Sequence, residues 1–171
     1  MSDPEPTASS TQAHRALIER FYRSFARRDA DGMCACYHSD VVFTDPMFGK
    51  LHGPVACEMW RMLCDRGHDL QLEWRDVSAN DVSGRAAWTA TYTFERTGRQ
   101  VTNSVDATFR FRDGLIAEHR DSYDLYKWMR MALGINGRLL GWTPQVQARA
   151  REQAQRRLAE YVEYRSVRNN D

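Results

Sequence analysis

The chain has 171 residues, 42% of them apolar and 27% charged, which is typical of one globular domain. A net charge of +1 lacks the basic excess of nucleic-acid-binding and membrane-surface proteins, so we expect neither partner. No apolar run approaches the roughly 18 residues that cross a membrane. The N-terminal segment resembles no secretory signal, so a cytoplasmic location is expected.

Basic residues and cysteines carry two further indications. Only Lys50 and Lys127 are lysines among the 24 basic residues, a bias typical of GC-rich coding that indicates a bacterial source. The cysteines lack the paired spacing of structural zinc sites, so we expect packed thiols and no metal ion. They stand at 34, 36, 57 and 64.

Residues 1–11 are rich in Pro, Ser and Thr and are predicted to form a flexible leader. Apolar spacing after the leader predicts helices at 12–28, about 32–38 and 54–65, with a strand at 41–45. Pro46 ends that strand because proline has no amide hydrogen to donate. A turn-rich link follows, and Pro54 suits the first turn of the third helix.

The middle of the chain changes to an alternating pattern typical of strands. Strands are predicted at 69–77, 85–96, 99–112 and 115–123. Gly98 and the Asp113-Gly114 pair are typical hairpin turns, so the last three strands should form an antiparallel meander. Helical spacing returns at 125–133 and again from Pro144 to about Tyr164. Helices followed by an antiparallel sheet indicate an α+β fold.

Four segments within residues 13–126 form a recognisable pattern. They are Phe21–Gly32 (FYRSFARRDADG), Tyr37–Pro46 (YHSDVVFTDP), Gly53-Pro54 and Phe111–Asp124 (FRDGLIAEHRDSYD). The pattern resembles the nuclear transport factor 2-like superfamily, and within it the SnoaL-like polyketide cyclase and ketosteroid-isomerase-like group. The resemblance implies a cone-shaped, curved antiparallel (mixed) sheet closed by three N-terminal helices, with an apolar pocket. It also implies a homodimer formed through the outer face of the sheet.

The resemblance places the SnoaL-like domain at 12–126 and leaves 127–171 as a C-terminal helical extension. A narrow apolar stripe at four-residue steps runs along its last helix. The stripe consists of Val146, Ala150, Ala154, Leu158 and Val162. We expect the extension to pack on the sheet or on a dimer partner. Its arginine-rich side, which also carries acidic residues, is predicted to be a solvated face.

Strand alternation predicts which side chains point into the pocket. The predicted inward residues are Trp88, Ala90, Tyr92, Phe94, Val105, Ala107, Phe109, Phe111, His119, Asp121 and Tyr123. The members from the first two strands are bulky or apolar, as a cavity wall requires. The members from the last strand are polar and ionisable, so they are candidates for chemistry.

Asp45 is the first catalytic candidate. Asp45-Pro46 with Gly49 resembles the Asp-Pro-Phe-Gly segment of ketosteroid isomerase, whose aspartate shuttles a proton between two carbons. A carboxylate in an apolar cavity is a useful base because desolvation raises its pKa. The alternative is that Asp45 only caps the turn before Pro46.

His119 and Asp121 are the other catalytic candidates. The position of Asp121 resembles that of a catalytic acid in SnoaL-type cyclases and in limonene epoxide hydrolase. Side chains two apart on one strand start roughly 6–7 Å apart, so the spacing does not by itself indicate a direct His–Asp bond, but both side chains could contact one ligand. The alternative is an internal polar network joining the pair to Tyr22 or Tyr123.

Several departures argue against specific family reactions. The oxyanion tyrosine of the isomerase corresponds to Phe21, and its partner acid corresponds to Ala107, while Asp106 has the outward parity. An enolate would then lack its main stabilising donors. The Arg–Asp pair of the epoxide hydrolase also has no match, since Ala90 and Tyr92 occupy those inward positions. Steroid isomerisation and epoxide hydrolysis are therefore not expected.

The leading hypothesis is a cofactor-free enzyme that transfers a proton on a small, apolar, carbonyl-bearing ligand. Asp121 or Asp45 would be the base, and His119 the acid or an orienting group. The candidates for binding a ligand oxygen are Tyr22, Tyr37, Tyr92 and Tyr123. The cavity would be shaped by Trp60, Trp88, Phe94 and Phe109. The alternatives are a non-catalytic module that binds a small molecule or a protein, and a structural domain whose aromatic residues fill the cone.

Overall fold

The computed structural model describes residues 9–168 and shows a mixed α+β fold. The helices are α1 (Ser10–Ala26), α2 (Ala30–Cys34), α3 (Pro54–Arg66), α4 (Leu125–Leu133), α5 (Ile135–Leu140) and α6 (Pro144–Arg168). The strands are β1 (Tyr37–Asp45), β2 (Gly49–His52), β3 (Gln71–Ala79), β4 (Ser83–Phe94), β5 (Arg99–Arg112) and β6 (Leu115–Ser122). Residues 1–8 of the predicted leader lie outside the described residues.

The six strands form one curved, unclosed sheet in the order β2-β1-β6-β5-β4-β3. The meander of β4, β5 and β6 is antiparallel, as predicted, and β1 joins it by pairing in parallel with β6. Gly98 and Gly114 have positive φ angles in the two hairpin turns, which glycine adopts without steric cost. The predicted cone-shaped, mixed sheet is therefore confirmed.

Helix α1 closes one side of the cone and begins earlier than predicted. Ser9 caps it by accepting a hydrogen bond from the Gln12 amide, so Ser10 and Thr11 already belong to the helix. Its apolar face packs on the inner side of the sheet through Ile18, Phe21 and neighbouring buried residues. Helices α2 and α3 complete the closure, which agrees with the three N-terminal helices predicted.

Three further elements differ from the sequence prediction. Residues 37 and 38 of the predicted second helix belong to β1, which begins before the predicted residue 41, because Tyr37 pairs with Ile116 of β6. The predicted link after Pro46 contains β2, whose four residues pair with the end of β1 and are too few to show a periodic pattern. Residues 135–140 form α5, because Gly134 adopts a positive φ that ends one helix and starts another.

The C-terminal extension covers the open end of the cone. Helix α4 begins at Asp124, whose carboxylate accepts a hydrogen bond from the Lys127 amide. Helix α6 then crosses from the β1–β2 turn to α3. At the turn, Arg151 Nε donates to the Pro46 carbonyl oxygen at 2.8 Å, and at α3, Arg165 pairs with Glu58. The helix predicted to pack on the sheet or on a dimer partner thus spans the mouth. No helix within residues 9–168 is long and apolar enough to cross a membrane.

Candidate functional site

A cavity of about 400 Å³ lies inside the cone, within the size range of small-molecule sites. Its wall is mainly apolar and aromatic and is built from α1, α3, β1, β4, β5, β6, α4 and α6. Ionisable and polar groups on this wall include Asp45, Tyr92, Asn103, Asp121 and Tyr123. The cavity combines an apolar body with a few convergent polar groups, which is typical of ligand-binding sites.

Asp45 stands at the end of β1, where its two carboxylate oxygens have different surroundings. Oδ1 accepts hydrogen bonds from the amides of Met47 at 3.1 Å and Phe48 at 2.5 Å, so it caps the turn to β2. Oδ2 accepts a bond from the Tyr123 hydroxyl at 3.3 Å, and both residues line the cavity. Both interpretations of Asp45 therefore fit the geometry, since one oxygen caps a turn while the other stays available.

Burial raises the pKa of Asp45 to about 7, because the cavity wall removes water from the charged form. The hydrogen bond from the Phe48 amide opposes this rise, and the negative charge of Asp121 adds to it. A carboxyl group whose pKa is raised inside a cavity is a common feature of acid–base sites.

His119 and Asp121 are joined by a direct hydrogen bond, which the strand spacing did not indicate and which the alternative of an internal polar network includes. Nε2 of His119 lies 3.0 Å from Oδ1 of Asp121, and their side chains are 0% and 3% exposed. The Cβ spacing on one strand does not prevent the bond, because both side chains reach along the strand toward each other. Trp88 Nε1 donates to the same oxygen at 3.3 Å.

The network continues from His119 to Tyr37 and Trp60. The Tyr37 hydroxyl lies 2.7 Å from His119 Nδ1, and Trp60 Nε1 donates to that hydroxyl at 2.8 Å. An indole nitrogen only donates, so the Tyr37 oxygen accepts from Trp60 and its own hydrogen is free to bond Nδ1. A hydrogen on His119 Nε2, donated to Asp121, then completes the chain of hydrogen bonds from Trp60 to Asp121.

The network does not include the partners proposed from the sequence. Tyr123 bonds Asp45, and the buried Tyr22 hydroxyl has no hydrogen-bond partner within residues 9–168. Burial raises the pKa of Tyr22 well above its usual value, so its hydroxyl stays neutral. Tyr22 lies among Trp74, Trp88 and Phe109 and does not line the cavity.

The inward residues predicted from strand alternation divide into two groups. Those on the cavity wall are Trp88, Ala90, Tyr92, Phe94, Asp121 and Tyr123, together with Asp45 and Trp60. Four of the predicted site residues do not line it, namely Tyr22, Tyr37, Phe109 and His119. The ring of His119 packs instead against Phe109, Phe43 and Phe21, at centroid distances of 4.5, 5.1 and 5.3 Å. These four residues form packed core beneath the cavity.

A second tyrosine on the wall has a hydroxyl hydrogen available for a ligand. Trp128 Nε1 of α4 donates to the Tyr92 oxygen at 2.8 Å, and no described residue accepts the hydroxyl hydrogen in return. Burial raises the pKa of Tyr92, so the hydroxyl is neutral and remains a donor. Tyr92 can therefore bind a ligand oxygen, as the sequence suggested.

Sequence reasoning missed two parts of the wall. Asn103 of β5 lies opposite Ala90 and shares the parity of the predicted inward residues, so alternation could have identified it. The extension adds residues of α4 and α6, including Trp128, Ala150 and Ala154. The apolar stripe of α6 was the available signal, but no local pattern indicates that this helix covers the cone.

The departures from family patterns hold in three dimensions. Phe21 is fully buried, and Ala107 is 1% exposed while Asp106 faces solvent. Neither oxyanion donor of a steroid isomerase is therefore present at its expected position. Within residues 9–168, no three His, Cys, Asp or Glu side chains are grouped as metal ligands, and the four cysteines are unpaired thiols.

Comparison with known proteins identifies the family. Residues 18–119 match the SnoaL-like domain model. This match spans more than half of the chain, so the protein belongs to the SnoaL-like domain family, within the nuclear transport factor 2-like superfamily that the sequence resembles. No curated protein matches the chain.

Solved structures share the fold at low sequence identity. A candidate polyketide cyclase from Xanthomonas campestris pv. campestris is 22% identical, with 72% of this chain and 99% of that chain covered and a TM-score of 0.62. An LEH-like epoxide hydrolase from M. tuberculosis is 20% identical, with 72% of this chain and 91% of that chain covered and a TM-score of 0.61. AclR, a candidate hydroxylase from Streptomyces galilaeus, is 23% identical, with 74% of this chain and 96% of that chain covered and a TM-score of 0.60. Their different activities show that this likeness establishes the fold alone.

Proposed function

We propose that this SnoaL-like protein is a cofactor-free enzyme that transfers a proton on a small apolar ligand bearing a carbonyl group, as isomerases and cyclases do. The observation that carries the proposal is the Asp45 carboxyl, which lies on the wall of a cavity of about 400 Å³ with a pKa raised to about 7. A base with such a pKa is ionised in about half of the molecules at neutral pH and binds a proton more strongly than an exposed aspartate.

Asp45 Oδ2 is the atom assigned to the proton transfer. It takes the proton from a carbon next to the carbonyl, so that a C–H bond breaks, an O–H bond forms and the electron pair moves to the carbonyl oxygen. Return of the proton to another carbon completes an isomerisation. Alternatively, the enolate carbon attacks a second carbonyl of the same ligand, and the Asp45 proton passes to the new alkoxide, which completes a cyclisation.

Tyr92 is assigned to the ligand oxygen, because its hydroxyl accepts from Trp128 and keeps its own hydrogen for donation. A donor aimed at the developing enolate oxygen stabilises the transition state more than the ground state. Asp121 faces the same cavity, where its charge contributes to the raised pKa of Asp45. His119 does not itself line the cavity but bonds Asp121, which does, so it acts as a positioning residue that holds Asp121.

Hydrogen–deuterium exchange tests the proposal without knowledge of the natural substrate. A small bicyclic ketone such as 2-tetralone is incubated with the protein in D₂O, and exchange at the carbon next to the carbonyl is followed by NMR. We expect the protein to accelerate exchange and Asp45→Asn to abolish the acceleration. Asp40→Asn is the matched control, since Asp40 lies on the same strand but its side chain is 76% exposed. Equal exchange with the wild type and Asp45→Asn would overturn the proposal.

A second candidate function is a binding module without chemistry. It is favoured by the internal satisfaction of His119 and Tyr37, which do not line the cavity and whose hydrogen bonds are all made within the protein. This candidate predicts that 2-tetralone binds without exchange and that Asp45→Asn leaves its affinity unchanged. Calorimetry on the same samples separates binding from turnover.

The homodimer suggested by the family resemblance is a further proposal. The outer face of β4 and β5 carries hydroxyl pairs, Thr89 with Ser104 and Thr91 with Thr102, at 3.3 and 3.0 Å. If this face joins two copies, Thr91→Lys should convert a dimer into a monomer, because two charges would meet near the symmetry axis. Light scattering after size-exclusion chromatography measures this change, and a dimer insensitive to the substitution contradicts the proposed face.

A further inference from the structure

Four arginines surround one side of the cavity opening. Arg66 ends α3, Arg96 lies in the β4–β5 turn, and Arg149 and Arg157 project from α6; all four line the cavity. Three separate segments of the chain therefore bring positive charge to one place. The acidic residues on the same cavity wall are Asp45, Glu95 and Asp121.

These arginines have no carboxylate partners. None of the ion pairs formed within residues 9–168 involves Arg66, Arg96, Arg149 or Arg157. Burial, together with repulsion from Arg96 and Arg66, lowers the pKa of Arg157, although its guanidinium stays charged. The charges of Glu95 and Glu160 oppose this effect, but neither forms a direct ion pair with the four arginines. Like charges held together without direct ion pairs raise the free energy of the empty protein, and a bound anion would relieve that repulsion.

Helix α6 separates the arginines from Asp45. Along one flank of the helix, Arg149, Gln153 and Arg157 follow each other at four-residue steps, and Gln153 Oε1 accepts from Arg96 Nη1 at 2.6 Å. This flank therefore faces the β4–β5 turn. Along the other flank, Arg151 and Gln155 donate to the carbonyl oxygens of Pro46 and Phe48, in the turn that Asp45 caps.

We propose that the four arginines, Arg66, Arg96, Arg149 and Arg157, bind an oxyanion of the ligand, so that the substrate class is an apolar carbonyl compound carrying a carboxylate or a similar anionic group. The anionic group lies at the opening, the apolar body fills the cavity, and the carbonyl end points toward Asp45 and Tyr92. The inference rests on the proposed function only for the carbonyl end. Guanidinium groups suit oxyanions because their planar fork donates two parallel hydrogen bonds.

Two fluorescent probes of matched shape test this charge preference. 1-Anilinonaphthalene-8-sulfonate and N-phenyl-1-naphthylamine share one ring system and differ by the sulfonate. We expect the wild type to bind the sulfonate more tightly by roughly tenfold, as for one charge-assisted hydrogen bond at a partly exposed site. Added salt should reduce this preference, because screening weakens the interaction with the anion and leaves the neutral probe unaffected.

The double variant Arg149→Gln, Arg157→Gln should lose the preference and keep its affinity for the neutral probe. Arg156→Gln is the matched control, because Arg156 lies on the same helix, is 67% exposed and pairs with Glu152. Equal wild-type affinities for the two probes, or a preference that survives in the double variant, would overturn the inference. In calorimetry, saturating neutral probe must also prevent the sulfonate from binding, which shows that both probes occupy the same site. Binding of the sulfonate elsewhere on the surface would overturn the inference as well.

The outcomes distinguish this inference from the proposed function. If the neutral probe binds and the sulfonate is not preferred, the arginines do not select an anion, while Asp45-dependent exchange of 2-tetralone can still be observed. If the sulfonate is preferred but Asp45→Asn leaves exchange unchanged, the anion-binding inference is supported and the proposed proton-transfer function is contradicted.

Discussion

Nε2 of His119 lies 3.0 Å from Oδ1 of Asp121, and both side chains are buried on the inner face of β6. This bond links two environments, because Asp121 reaches the cavity wall and His119 lies in the aromatic core beneath it. Through Tyr37 and Trp60 the network extends from β6 to β1 and α3, and Trp88 joins it from β4, so the orientation of the Asp121 carboxylate depends on four elements.

The first prediction concerns the buried end of that network. Tyr37→Phe leaves Trp60 Nε1 without an acceptor and His119 Nδ1 without a donor, so we expect the free energy of unfolding to fall by about 2 kcal/mol. Urea denaturation measures the change. In Tyr126→Phe, the matched control, the lost bond is to the Arg138 carbonyl at the surface, and the loss should stay below about 1 kcal/mol. Similar losses in both variants would contradict the network.

The second prediction concerns the pH dependence of stability. Because the folded-state pKa of Asp45 is raised from 3.8 to about 7, the folded protein binds more protons than the unfolded chain between these values. Its free energy of unfolding should therefore fall as pH rises from about 4 to about 7, by at most about 4 kcal/mol, relative to Asp45→Asn. Above pH 7 the difference should be constant.

Urea denaturation of both proteins at several pH values measures this difference. The amide variant is a suitable reference, since its side-chain oxygen can still accept from the Met47 and Phe48 amides. A difference that rises with pH over this window would show that the folded state favours the ionised carboxylate.

The third prediction concerns the proposed oxygen donor. Tyr92→Phe removes the hydroxyl that faces the cavity, and we expect the rate of 2-tetralone exchange to fall roughly a hundredfold, as for the loss of one oxyanion donor. The affinity for 2-tetralone should change less than the rate, because the donor acts mainly on the developing enolate. Trp128→Phe should lower the rate less, since the tyrosine hydroxyl remains. Exchange at the wild-type rate in Tyr92→Phe would assign the ligand oxygen to another donor.

The fourth prediction tests how α6 is held across the mouth of the cone. Leu158 is 3% exposed, so Leu158→Ala should lower the free energy of unfolding by about 2–3 kcal/mol through lost burial and the space left behind. Val167→Ala is the control on the same helix, because Val167 is 59% exposed and its truncation should change stability by less than about 0.5 kcal/mol. If both variants matched the wild type in urea denaturation, the helix would not be docked as described.

The sequence alone determined the features that depend on neighbouring residues. Alternation along β4, β5 and β6 identified the buried face, because successive side chains of a strand point to opposite sides. Gly98 and Gly114 identified the hairpin turns, since their positive φ angles favour glycine. Asp45 was identified by its resemblance to a family segment, and its role remains a prediction.

Only the tertiary structure decided which distant groups meet. The Tyr37–His119 bond joins residues 82 apart in the chain, and the Tyr123–Asp45 bond joins residues 78 apart. No local pattern indicated that His119 would lie beneath the cavity, or that α6 would cover its mouth and add arginines to its rim. These contacts depend on the curvature of the whole sheet and on the space it leaves for side chains, which are properties of the packed molecule and not of any single segment.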